Sequence, residues 1–292
     1  MNIYEIHKSN PGLFNQISYK DNLFLYYDCP QQDKILSLYS NHNQFAFTIS
    51  GKRIIHHGEY NWISNRNKGL LMKRCAYLQE LPPDYSGWNV LVFYLKDDYL
   101  KKIFNEFREY LNFNDLPSAK GNMVEEFEVT DKIRMCYQSI LPYFEQPSQL
   151  PENIFESKFK ELLFNILVAP GNKHILLYIS QISDGYITPI WEVMESNYMY
   201  NLSISEFANI ANRSKSTFRR EFEKYYQTSP GKWLTQRRLE RAKNILESGQ
   251  IPIGEIAFEC GFENVSHFSR LFKEFNKLSP LQYRNTKKKT SK

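Results

Sequence analysis

Arg220 and Arg270 hold equivalent places in two copies of one pattern, 50 residues apart. Around them, Phe218-Arg-Arg-Glu-Phe222 corresponds to Phe268-Ser-Arg-Leu-Phe272, and Ser229-Pro230 to Ser279-Pro280, at the same offset of 50. Upstream, Ile204-Ser-Glu-Phe-Ala208 corresponds to Ile253-Gly-Glu-Ile-Ala257 at an offset of 49. The change of offset places one extra residue in the turn of the second copy. An arginine side chain ends in a planar fork that meets O6 and N7 of guanine together, so paired outward arginines are suited to reading DNA.

The elements that would carry these arginines follow from the period. Each copy reads as a short helix, a turn and a longer helix. The longer helix places Phe218, Phe222 and Tyr225, or Phe268, Phe272 and Phe275, at i, i+4 and i+7 on an inner face. Opposite them lie Lys215, Ser216, Arg219, Arg220 and Glu223 in the first copy, and Ser266, Ser269, Arg270 and Lys273 in the second. That is the form of a helix-turn-helix, whose second helix enters the major groove and presents its N-terminal residues to base edges. Ser216, Arg219, Arg220, Ser266, Ser269 and Arg270 are therefore the expected base-contacting residues. Lys215, His267 and Lys273 are expected at phosphates. Two plain helical hairpins in a bundle would share the period; a second outward arginine in a basic domain favours DNA.

Between the copies, Pro230 to Glu247 reads as one helix, with Ser229 as N-cap, Pro230 at the first helical position and Gly249 as the stop. About 18 residues span about 27 Å, a strut able to hold the two outward helices near the ~34 Å of one DNA turn. Arg237, Arg238, Arg241 and Lys243 line this helix, and Arg237 and Arg238 are expected at phosphates.

Charge supports this division of labour. From Pro189 to Lys292 the chain carries 18 Lys and Arg against 11 Asp and Glu, a net of +7. Residues 1–188 carry 19 against 21, a net of −2, and no Asp follows Asp184. A basic third joined to a mildly acidic body suggests a polyanion-binding module attached to something else.

The 292 residues are long for one core at the usual ~100–200 residues per domain, which implies two domains. With 42% hydrophobic and 24% charged residues, the composition is globular. No apolar run reaches the ~18 residues of a membrane span. Glu5, Lys8, Asn10, Lys20 and Asp21 interrupt any secretory core in residues 1–30. Cys29, Cys75, Cys136 and Cys260 form no CxxC pair, so reduced thiols and a cytoplasmic location are expected.

The first two thirds read as strands from about Ile35 to Leu95 and as helices beyond. Phe45, Phe47 and Ile49 alternate with Gln44, Ala46, Thr48 and Ser50, the period of a half-buried strand. Gly51-Lys52 and Asn65 to Gly69 are turns. Leu70 to Leu78 and Asn89 to Leu95 are further strands, giving a small antiparallel barrel or sandwich. Helices follow over Asp97–Asn112, Thr130–Phe144, Glu152–Val168 and Lys173–Ile182. The expected domains are residues 1–182, a barrel with a helical subdomain; 183–188, a linker; and 189–292, all helical. The fold class is α+β.

Catalytic constellations are missing from the sequence. There is no GxSxG, P-loop or GxGxxG, and no H-x-H pair. His56 and His57 are adjacent and so point to opposite faces of a strand, which disfavours a metal centre with His42. No metal and no cofactor are expected.

Residues 189–284 resemble the AraC/XylS family of bacterial transcription regulators. The second copy carries that family's signature: Ile253, Glu255-Ile256-Ala257, Cys260-Gly261-Phe262, Ser266 through Lys273, and Ser279-Pro280-Leu281-Gln282-Tyr283-Arg284. Two positions depart from it. Where the family usually has Gly at the end of each outward helix, this chain has Gln227 and Lys277. The resemblance implies a DNA-binding transcription regulator, more often an activator, with its base-contacting arginine at Arg220 and Arg270. It implies double-stranded DNA and RNA polymerase as partners, and a cupin-like barrel that dimerises and receives a small ligand or a protein effector. The segments Asn67–Leu78 and Glu156–Asp184 are similar to the branch that controls type III secretion operons, where the effector is a protein. Helices 97–112 and 152–168 offer Phe104, Phe107, Phe155, Phe159, Leu163 and Ile166 as the dimerising face. The alternative function is a small-molecule-binding barrel protein or enzyme with a helical docking module.

Overall fold

The computed structural model describes residues 1–84, 87–118, 121–145, 151–248 and 251–290. They form two compact units, Met1–Ile187 and Thr188–Lys292.

In the first unit, alternation along central strands builds two cores back to back. After helix α1 (Ile3–Ser9) come β1 (Asn15–Tyr19), β2 (Asn22–Asp28), β3 (Ile35–Tyr39), β4 (Asn43–Gly51), β5 (Arg53–His57), β6 (Tyr60–Ser64), β7 (Lys68–Met72), β8 (Ala76–Glu80) and β9 (Trp88–Leu95). Helix α2 (Asp97–Phe107), strand β10 (Val124–Glu128) and helices α3 (Asp131–Ile140), α4 (Glu152–Val168) and α5 (Lys173–Ser183) complete it. Among the described residues the strands pair antiparallel, in one six-stranded sheet ordered β1-β2-β9-β4-β7-β10 and one four-stranded sheet ordered β3-β8-β5-β6.

Leu23, Leu25, Leu38, Ala46, Ile55, Leu70, Met72, Tyr77, Val90 and Val92 share one buried cluster that joins residues of both sheets. Their sequence neighbours Phe24, Phe45, Phe47, Leu71, Leu91 and Phe93 share the other cluster with residues of α2 to α5. The six-stranded sheet is thus covered on both faces, which explains why its central strands β2 and β9 are apolar at nearly every position.

The strands depart from expectation in three places. β1 and β2 precede Ile35, because Leu23 to Tyr27 is a continuous apolar run with no period-2 signal. Their hairpin turns on Lys20 and Asp21, both at positive φ, 45° and 62°, with no glycine to mark it. The Asn22 side chain donates to the Tyr19 and Lys20 carbonyls instead. The expected strand Leu70–Leu78 is two strands in different sheets, β7 and β8. The acid-rich β10, Val-Glu-Glu-Phe-Glu, sits among helices and pairs with β7.

The helices also differ in detail. α2 ends at Phe107 and continues as a 3-10 turn over Arg108–Tyr110, so Leu111 leaves the helical stripe. α3 is capped by Thr130, whose hydroxyl accepts from the Ile133 amide, and the chain tightens to a 3-10 turn at Leu141–Phe144, which contains Pro142. Phe104, Phe155, Phe159, Leu163 and Ile166 are all 2% exposed or less and cover the sheet. The face expected to dimerise is therefore the lid of this unit's own core.

The histidines are held separately. His42 stacks on Tyr4 at 3.8 Å, His56 Nε2 lies 2.7 Å from Glu80, and His57 Nδ1 lies 2.8 Å from the Ala76 carbonyl oxygen. Burial lowers the His7 pKa to about 3 and the His42 pKa to about 4. No single helix among the described residues is long and apolar enough to cross a membrane.

The second unit is helical: α6 (Ile190–Asn197), α7 (Ile204–Ile210), α8 (Lys215–Tyr226), α9 (Pro230–Ser248), α10 (Ile253–Glu259), α11 (Val265–Asn276) and α12 (Pro280–Thr290). Gly249, expected to stop α9, lies outside the described residues. Asp184 to Ile187, between the last helix of one unit and the first of the other, is exposed and outside regular structure, with Gly185 at φ 87°. We expect limited proteolysis of the native protein to cut first between Ser183 and Thr188. Fragment masses showing that stretch intact while cuts accumulate elsewhere would contradict the boundary.

Candidate nucleic-acid interface

Each repeat forms a helix-turn-helix, and its turn is fixed by one residue in the left-handed region. α7 and α8 are joined through Ala211, Asn212 and Arg213; α10 and α11 are joined by one residue more, Cys260 through Glu263. Asn212 sits at φ 53° and Gly261 at φ 81°. Beyond each, the Arg213 amide reaches back to the Ala208 carbonyl, and the Phe262 amide to the Ala257 carbonyl, both at 2.9 Å. These are the backward bonds that end a helix at a left-handed residue. Asn tolerates that conformation, whereas at Gly261 an added Cβ would stand 2.8 Å from the Met199 carbonyl oxygen.

The outward helices start at side-chain caps. The Ser214 hydroxyl accepts from the Thr217 amide, and Asn264 Oδ1 accepts from the Ser266 and His267 amides. α7 begins with a reciprocal capping box between Ser203 and Glu206. Ser279 and Gln282 exchange the same pair of bonds at the start of α12. Ser229 accepts from the Lys232 amide, with Pro230 first in α9, as the sequence implied.

Phe218, Phe222, Phe268 and Phe272 are completely buried. Tyr225 and Phe275, expected beside them, are instead 66% and 49% exposed. The inner stripe of α8 continues at i+8, where Tyr226 stacks on Phe222 at 4.5 Å and meets Trp233 at 5.3 Å.

Most of the expected contact residues are exposed. Ser216, Arg219 and Arg220 on α8, and Ser266 and Arg270 on α11, are exposed; Ser269 is half-buried. Lys215, His267 and Lys273 are exposed beside them. Among the described residues, Arg219, Arg220 and Arg270 make no ion pair or hydrogen bond, so their guanidinium groups are available to an outside acceptor. In contrast, Arg213 is held by Glu221 at 2.7 Å.

The strut helix corrects one assignment. Arg237 is half-exposed and pairs with Glu195 at 3.0 Å, so a phosphate would compete with that carboxylate. Arg238, expected at a phosphate, is 8% exposed and donates to the Tyr198 and Tyr200 carbonyls. Burial lowers its pKa to about 10, which leaves it charged at neutral pH. Successive helical residues are 100° apart, so Arg237 and Arg238 cannot share a face. Arg238 falls with Leu234 and Ala242 at i±4 on the buried stripe, and that phase was the signal in the sequence for its inward role.

Gln227 and Lys277, which replace the family's usual glycines, end α8 and α11 in the left-handed region, at φ 53° and 64°. A side chain there costs about 1 kcal/mol relative to its preferred backbone. Gln227→Gly and Lys277→Gly should each raise unfolding stability by about 0.5–1 kcal/mol, without changing DNA affinity. Urea titration of each variant checks this, and a loss of stability would contradict the strain.

Comparison with known proteins adds to this geometry. Residues 207–286 match the helix-turn-helix domain family, and residues 43–178 match the ExsA N-terminal regulatory domain family. The virulence regulon transcriptional activator VirF of Yersinia enterocolitica is 24% identical over 193 residues, 66% of this chain and 71% of that protein. The HTH-type transcriptional regulator ExsA of Pseudomonas aeruginosa is 26% identical over 130 residues, 44% of this chain and 47% of that one. The chain thus spans about half the length of ExsA. The solved structure of ToxT from Vibrio cholerae aligns at 15% identity with a TM-score of 0.40, covering 90% of this chain and 97% of that one. Two matched helix-turn-helix halves behind a domain of the ExsA type place the chain in the AraC/XylS family of DNA-binding transcription regulators.

Proposed function

We propose that the protein is a sequence-specific transcription activator that reads two adjacent major-groove segments, one with α8 and one with α11. The observation that carries this reading is the pair Arg220 and Arg270, exposed and, among the described residues, without internal partners, at equivalent places on two capped helices. α9 has 19 residues, so it spans about 28 Å, which suits two helices about one DNA turn apart. Ser216, Arg219, Arg220, Ser266, Ser269 and Arg270 are the base-contacting set; Lys215, His267 and Lys273 meet phosphates. Activation is supported by the activator named among its relatives; RNA polymerase as partner and a cytoplasmic location belong to the same reading.

Control enters through the first unit. Large side chains fill the space between its sheets, including Arg53, 0% exposed, with its guanidinium 5.1 Å from the Trp88 ring. A largely filled interior supports a protein effector, as the resemblance to the branch that controls type III secretion operons implies. A cavity of about 360 Å³ beside α1, lined by Ile3, Ile6, Tyr27, Leu36 and Gln79 among others, supports a second reading, in which a small and largely apolar molecule is the effector. Self-association is not served by the buried faces of α2 and α4; Tyr110, Phe113 and Val168 remain exposed near their ends.

The test is a binding titration on a duplex that the protein selects from random sequence, beside a scrambled duplex. Arg220→Ala and Arg270→Ala should each cost about 1–3 kcal/mol on the selected duplex and relax preference at one or two base pairs. Arg220→Ala should cost more, because α11 carries fewer charges on its outer face. Equal losses on both duplexes, with the salt dependence flattened by about one unit, would assign the arginines to phosphates and contradict base reading.

A further inference from the structure

The two halves of the DNA-binding unit are tied together around Arg238, near the middle of α9. Its Nε donates to the Tyr198 carbonyl at 2.7 Å and its Nη2 to the Tyr200 carbonyl at 2.6 Å. Both carbonyls belong to the segment between α6 and α7, which leads into the first helix-turn-helix. The same guanidinium lies 6.0 Å from the ring centre of Phe262, in the turn of the second. That turn is pressed close, since a Cβ on Gly261 would lie 2.8 Å from the Met199 oxygen and 3.0 Å from Arg238 Nε. A further link runs alongside: Asn201 Nδ2 donates to Glu263 Oε1 at 2.5 Å.

A helix fixes the distance between its ends better than it fixes the rotation of whatever is attached there. Reading two successive grooves needs both. Arginine presents donors in a rigid fork, so two carbonyls held at one angle to each other can be gripped at once, which a lysine ammonium on a flexible stem does not reproduce. The buried charge is compensated by those two carbonyls and by the aromatic face.

We propose that Arg238 is a positioning residue: it clamps the Tyr198–Asn201 segment against the Gly261–Glu263 turn, setting the relative orientation of α8 and α11 so that both reach their groove segments together. This rests on the DNA-reading function above. Once one half is bound, a rigid connection raises the effective concentration of the other at its site, and a loosened clamp lowers it.

The experiment uses the full chain and two duplexes, the selected one and the same duplex with one half-site scrambled. Arg238→Lys should weaken binding to the intact duplex by about 10-fold to 100-fold, while binding to the single half-site changes less than about twofold. The double variant Asn201→Ala/Glu263→Ala removes the exposed link without touching the core. It should show the same selectivity with a loss of about threefold to tenfold. Equal loss on both duplexes would mean that Arg238 supports folding or contacts DNA, and would overturn the proposal; so would no loss on either. If Arg238→Lys does not fold, the double variant decides by the same criterion. Wild-type protein that fails to prefer its selected duplex over a scrambled one would instead overturn the DNA-reading function itself.

Discussion

Burial of two phenylalanines one turn apart orients each recognition helix. Phe218 and Phe222 on α8, and Phe268 and Phe272 on α11, lie completely inside the domain. Each such side chain contributes about 1.5–3 kcal/mol by leaving water, and together they fix which way the helix faces. With 100° between successive residues, Arg220 and Arg270 must then point outward, while Arg219 lies on the flank of the helix, where it is exposed. The caps at Ser214 and Asn264 set where each helix begins, which decides which side chains lie at the end proposed to enter a groove. The interface therefore depends on packing that touches no nucleic acid.

The second consequence is division of labour along α9. Arg237 and Arg238 are adjacent in sequence and opposite in role. One is half-exposed and shared with Glu195. The other is enclosed between the backbone of the first half and the turn of the second. A basic residue in a DNA-binding domain is thus no guide to a phosphate contact until its helical phase is known.

Much of the DNA-binding unit was legible in the sequence because its duplication repeats every local signal: cap, inner phenylalanines, outer arginine and the Ser-Pro start of the next helix. Failures there came from phase, as with Tyr225, Phe275 and Arg238. The first unit was less legible for a different reason. The central strands of its larger sheet are buried on both faces, so β2 lacked alternation and its turn lacked glycine. The phenylalanines of α2 and α4 were visible as apolar excess, but a sequence cannot say whether such a face covers its own sheet or a second copy; here it covers the sheet. Gln227 and Lys277 are the reverse case, where a departure from the family pattern correctly marked strained helix ends.

The proposed function requires two helices that read one duplex at a fixed separation. The most direct measurement is affinity for the selected duplex after inserting five or ten base pairs between its two half-sites. Five pairs turn the second half-site to the opposite face, and ten restore the face while adding ~34 Å of separation. A rigid α9 cannot follow either change, so both insertions should reduce binding to that of a single half-site. Undiminished binding after either insertion would show that the halves act independently, and would contradict the account.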